Sequence, residues 1–125
     1  MTNEILLYIG SAIIIIWGIA HLVPTRNIVK GFGAISADNK KILSMEVIAE
    51  GLTLIFLGVL PILTTTLGDS QSDTAHIVYV ADAVMLLAMA LVTLLTGART
   101  PTIWYKICPA VKTVTAVLFI LGGVL

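Results

Sequence analysis

Four long apolar blocks, separated by short polar breaks, constrain this chain more than any other feature. They run from Ile5 to Val23, Ile42 to Leu63, Ala75 to Thr96 and Ile103 to Leu125. A bilayer core needs roughly 20 apolar residues in helical form, and each block supplies that length. Charged residues make up only 11% of the chain, against about 25% in a soluble domain, so a dissolved monomer is excluded. No repeat, low-complexity tract or soluble region breaks the 125 residues. The expected fold is therefore all-α: a single transmembrane domain over 1–125, a polytopic four-helix bundle.

The first block reads as a retained helix. Met1 to Glu4 lacks the basic start of a secretory signal, and the apolar run is too long for one. The fourth block is the weakest, because Lys106 and Lys112 interrupt it, and Pro109 is expected in its first turn.

Charge then orients the bundle. Arg26, Lys30, Lys40 and Lys41 lie in or beside the first connection, Arg99 and Lys106 in or beside the third, and Lys112 just inside the fourth helix. The opposite side carries Glu4, Asp69 and Asp73 and no basic residue. The positive-inside rule places the basic connections in the cytoplasm and both termini on the non-cytoplasmic side. Three or five spans would scatter the basic residues. Asp38 and Asp73 are expected N-caps of the second and third spans, and Trp104 and Tyr105 stand where an aromatic belt belongs. The first connection mixes Ile28, Val29, Phe32 and Ile35 with basic residues. It reads equally as a segment lying along the interface and as an ordinary polar loop.

Ionisable residues inside hydrocarbon are costly and usually face the bundle interior, which singles out His21, Glu46, Glu50, Asp82 and Lys112. Glu50 lies about 13 positions from Leu63 and Lys112 about 13 from Leu125, each roughly 20 Å at 1.5 Å per residue, so opposite charges share one level. Glu46 is one turn nearer the basic side and about 40° around the helix, and His21 falls at its depth. A ligand or proton pocket of His21, Glu46, Glu50 and Lys112 is thus expected, with Trp17 on the face of His21. There Glu50 and Lys112 set the charge balance, and His21 or Glu46 exchanges a proton near neutral pH. The plainer reading has Lys112 snorkelling to the headgroups, Glu46 meeting headgroup amines or Lys40 and Lys41, and His21 capping the first helix before Pro24. Glu50 fits it least, being too deep for its short side chain to reach water. Asp82, the second intramembrane acid, is expected alone in the other half at the depth of Ser11, with the hydroxyls of Tyr8 and Tyr79 as partners.

Small residues complete the pattern. Gly10, Ser11, Gly18, Gly51, Gly58, Ala81 and Ala88 permit close helix contact, and Pro61 is expected to kink the second span. The single cysteine, Cys108, cannot form an intramolecular disulfide and reads as inert packing. No metal is expected: no histidines stand one turn apart, and one cysteine makes no thiolate site. His21 and His76 lie near opposite faces of the membrane, which argues against a bis-histidine haem. No Gly-rich phosphate loop, nucleophile elbow or Ser/His/Asp spacing points to a catalytic residue, and no cofactor is specified. The basic loops are membrane-facing charge, with no nucleic-acid partner.

The stretch IAEGLTLIFLGVLPIL, an acid followed by Gly and an apolar run to a second Gly, resembles the second helix of DoxX-like small membrane proteins. WGIAHLVP is similar to that family's first helix and the turn after it. Together the two stretches hold 24 of the 125 residues. The resemblance implies a four-helix bundle from a family with members tied to quinone-linked oxidoreductases, and Glu50, Gly51 and Gly58 as the residues that carry over. The family's basic position early in its first helix has no match here.

Three functions follow as expectations. The first is a non-catalytic protein of a prokaryotic cell membrane that binds a lipophilic molecule or a partner membrane protein through the polar pocket. The second is an oligomeric ion or proton channel or transporter subunit that brings Glu50 and Asp82 into a pathway. The third is a quinone-linked redox subunit with its cofactor near His21 and Glu46.

Overall fold

The computed structural model describes residues 3–125. It contains α1 (Glu4–Leu22), α2 (Thr25–Lys30), α3 (Ala37–Leu67), α4 (Asp73–Leu95), a single 3₁₀ turn (Gly97–Arg99) and α5 (Ile103–Val124). The four long helices α1, α3, α4 and α5 are each long and apolar enough to cross a membrane.

Local chemistry sets most boundaries. Two residues past the end of α1 stands Pro24, and the Thr25 hydroxyl faces the free carbonyls of His21 and Leu22 at 3.0 and 2.8 Å. Gly33 adopts φ 80°, a left-handed turn that a β-carbon would strain, and swings the chain from α2 toward α3. The N-caps of α3 and α4 are serines. Ser36 accepts from the Asn39 amide at 3.1 Å and Ser72 from the Ala75 amide at 3.1 Å, so Asp38 and Asp73 sit in the first turns instead of at the caps. There their charge still favours the positive end of the helix dipole.

α3 begins five residues before its apolar block and ends four after it, because hydropathy marks only the part that can lie in hydrocarbon. At 31 residues it is about 46 Å long. Pro109 lies well inside α5, not in its first turn, and leaves the Tyr105 carbonyl without its i+4 donor.

The helices run antiparallel in a ring. α1 packs most extensively on α3, α5 on α4, and α1 joins α5, whereas α3 and α4 barely touch. In α1 the buried residues Leu7, Gly10, Ser11, Ile14 and Gly18 form one stripe, while Ile5, Ile9, Ile16 and Ile19 face outward. α5 is the central element, with 44% of its apolar 18-residue stretch buried against 28% in each of the others.

Glycines set the closest approaches. A β-carbon on Gly58 would stand 2.5 Å from Ile15 Cγ1 and 3.0 Å from the Ser11 carbonyl, and one on Gly18 would stand 2.8 Å from the Gly51 carbonyl. Between helices in lipid such contact supplies the attraction that water supplies in a soluble core.

Candidate functional site

The half of the bundle that bears the basic connections holds the ion-paired side chains. Lys112 on α5 is fully buried. Its Nζ donates to Glu50 Oε1 on α3 at 2.6 Å and to Thr93 Oγ1 on α4 at 3.0 Å. The Thr93 hydroxyl donates to the Met89 carbonyl at 3.0 Å, leaving its lone pairs to the lysine. One ammonium thus ties three helices together, including the two that otherwise barely meet. Lys112 does not snorkel: a cation sealed from solvent is held by a carboxylate.

His21, near the end of α1, lies on the other side of Glu50, with Nε2 3.9 Å from Oε2. Its Nδ1 is 2.8 Å from the Trp17 carbonyl. A carbonyl only accepts, so Nδ1 carries a proton, and in the neutral ring Nε2 presents a free lone pair toward Glu50. Trp17 meets the imidazole edge-on, with ring centroids 5.8 Å apart. Its indole Nε1–H donates to Cys108 Sγ at 3.2 Å.

Cys108 also belongs to the site. Read as inert packing, it is indeed buried, but its sulfur joins the carboxylate of Glu50 and a ring nitrogen of His21 in a set whose atoms all lie within 4.8 Å of one another. The signal was available in the sequence. Cys108 precedes Lys112 by four residues and so shares its face of α5, one turn nearer the basic end and level with His21. Thr93 has no distinguishing spacing in the sequence, and Tyr105, expected in the aromatic belt, also borders the site.

Of the expected pocket, His21, Glu50, Lys112 and Trp17 come together. Glu46 does not join them: it is exposed on α3 and makes no hydrogen bond or ion pair among the described residues. The 40° offset from Glu50 turns it out of the bundle.

Two cavities flank the cluster. The larger, about 690 Å³, opens between the end of α1, α2 and the start of α5, and its walls include Trp17, His21, Phe32, Trp104, Tyr105 and Cys108. The smaller, about 410 Å³, follows the gap between α3 and α4 and reaches Glu50, Thr93 and Lys112. Tyr105 borders both.

Asp82 is buried in the opposite half, as expected, but its partners are not the tyrosines. The Tyr79 hydroxyl pairs with Thr65 Oγ1 at 2.7 Å, and Tyr8 is on the surface. Both carboxylate oxygens of Asp82, and the Ser11 hydroxyl, lie buried without a hydrogen-bond partner.

Comparison with models of known protein families, with curated proteins and with solved structures finds no match to this chain.

Proposed function

We propose that this is an integral membrane protein, with its basic connections cytoplasmic and both termini outside, that binds a lipophilic small molecule carrying a polar head. The observation that supports it best is the larger cavity. Its volume of about 690 Å³ falls within the range of ligand sites, about 300–1,000 Å³. Four aromatic rings supply apolar area, and His21 and Cys108 supply a few polar atoms on one wall. The basic end lies at headgroup depth in this orientation, so an amphiphile would enter sideways from the membrane. The role is binding, not catalysis. A quinone has the right chemistry, and the DoxX-like character of IAEG and WGIAHLVP agrees with it.

The channel reading has less support. Between Asp82 and Thr93, α4 turns Ala83, Leu86 and Ala90 inward, an apolar stretch that separates the two polar levels. Lys112 is also neutralised in place.

Both tryptophans of the chain line the larger cavity, so selectively excited tryptophan fluorescence reports on it. In nanodiscs, a short-chain quinone should quench that emission saturably, and Ala20→Phe, which fills the cavity, should abolish saturation. Linear quenching that is identical in both proteins, with no lipophile retained in native mass spectra, would overturn the reading.

A further inference from the structure

The geometry points to a metal site: His21 Nε2, Glu50 Oε2 and Cys108 Sγ form a tripod for a single Zn²⁺-like ion, its fourth position open toward the cavities. It holds independently of which lipophile the larger cavity takes.

Three donors of the right chemistry converge. Imidazole, carboxylate and thiolate together suit a borderline ion such as Zn²⁺, and the sulfur and nitrogen disfavour Mg²⁺ and Ca²⁺. One donor atom from each of the three residues lies within 4.8 Å of the other two, and His21 Nε2 is 3.9 Å from Glu50 Oε2. In a tetrahedral zinc site the same edges are about 3.4–3.6 Å, given bonds of about 2.0–2.3 Å. Closing by roughly 1 Å takes small side-chain rotations, and the cavities on either side leave room for them.

Each donor is also held from behind. The Trp17 carbonyl takes the Nδ1 proton of His21 and leaves Nε2 as the ligating nitrogen. Lys112 takes Oε1 of Glu50 and leaves Oε2. The Trp17 indole N–H donates to Cys108 Sγ. A histidine whose remote N–H is fixed by a carbonyl, beside a hydrogen-bonded carboxylate, is the outer-shell arrangement that orients metal ligands.

The same contacts exclude the competing explanation, a nucleophilic thiol with a His–Glu relay. In a relay the imidazole uses one nitrogen for the nucleophile and the other for the carboxylate. Here Nδ1 is engaged by Trp17, and Nε2 alone must serve both Cys108 and Glu50. The arrangement converges on a point and does not form a chain.

Charge is consistent as well. Glu50 and Lys112 cancel, so a divalent ion that displaces the Cys108 proton to solvent leaves one positive charge. An anionic oxygen in the open position, hydroxide or the head of a cavity ligand, would neutralise it.

The test uses the tag-free, reduced, chelator-treated full chain in nanodiscs, titrated with Co²⁺ as a spectroscopic stand-in. One Co²⁺ per chain should bind with a near-ultraviolet thiolate charge-transfer band and intense tetrahedral visible bands, all displaced by Zn²⁺. Cys108→Ser should erase the charge-transfer band, and His21→Ala should weaken binding by more than about 100-fold. Trp17→Phe, which touches only the outer shell, should weaken it about tenfold. As Cys108 is the only cysteine, Zn²⁺ should also slow its alkylation by a small thiol reagent in the unsubstituted chain, a readout that requires no variant to fold. Weak octahedral bands without charge transfer, or an alkylation rate indifferent to Zn²⁺, would sink the proposal.

Discussion

The two halves of the bundle are built on opposite principles. At the acidic end the helices close on one another: Gly10 receives the Phe119 ring, Gly122 receives Leu7, and Gly123 lies against Tyr79. Hydrogen bonds seal that end, from Ser70 to Glu4 at 2.7 Å and from the Asn3 amide to the Gly122 carbonyl at 2.8 Å. At the basic end α1 meets α5 through Trp17 and Cys108 instead of through glycines, charged groups bridge the helices, and both cavities open there. Between α1 and α5, small residues bring the backbones together at the acidic end and bulky polar ones hold them apart at the basic end, whereas between α1 and α3 the close approach of Gly18 to Gly51 continues beside the cluster.

The sharpest way to break this contrast is to remove the charge that holds the open half together. Glu50→Leu leaves Lys112 sealed in the bundle without its carboxylate, and breaking a buried ion pair from one side costs about 3–5 kcal/mol. Because Glu50 is itself partly exposed, the lower figure is expected. The double variant Glu50→Gln, Lys112→Met removes both charges and should recover most of the loss. Thermal or detergent-induced unfolding of the three proteins decides it, and equal stability of the single and double variants would show that the pair does not organise this half.

The closed half is tested by adding a methyl group. Gly58→Ala sets a β-carbon 2.5 Å from Ile15 Cγ1 and 3.0 Å from a backbone oxygen, neither of which can give way freely. Overpacking of this kind costs about 1–3 kcal/mol. Gly97→Ala is the matched control at the basic end, where the new carbon would sit 3.5 Å from Tyr105 in ordinary contact. Its effect should stay within about 0.5 kcal/mol. A reversal of the two would erase the distinction between the halves.

Most of the fold was legible in the sequence because hydrocarbon imposes one length and one periodicity on every span. The four blocks lie almost wholly within the four long helices, and depth counting alone set Glu50 level with Lys112. What stayed hidden was rotation. Depth cannot say which way Glu46 turns, so it was grouped with Glu50 although it faces out, and Cys108 was set aside although its spacing from Lys112 carried the information. The serine caps were hidden for a different reason: Ser36 and Ser72 stand beside aspartates that cap equally well, and only backbone geometry at each helix start chooses between them.

Asp82 is the exception within the closed half, a polar group that its surroundings do not satisfy. Deleting a partnered polar group destabilises, but deleting an unpartnered one removes a penalty of about 1–3 kcal/mol. Asp82→Leu breaks no hydrogen bond, and its methyl groups are slightly larger than the oxygens they replace. A net gain of about 1 kcal/mol is therefore expected. A clear loss would show that the carboxyl has a partner in the membrane, such as an internal water, and that the acidic half also houses polar chemistry.

Tyr79→Phe should have an effect as small as that of Asp82→Leu, but of opposite sign. The ring is fully buried beside Gly123 and stays in place; only the hydroxyl that pairs with Thr65 is lost. Thr65 keeps the option of its own helix carbonyls, so the cost is that of one neutral hydrogen bond, about 1 kcal/mol. The more informative readout is at the other end of the molecule. If the halves are independent, Tyr79→Phe lowers the unfolding midpoint yet leaves quinone quenching of Trp17 and Trp104 unchanged, since distant sites with no shared partner add. A shift in quinone affinity would mean that α4 transmits strain from Tyr79 to Thr93 and hence to Lys112, making the closed half a lever on the open one.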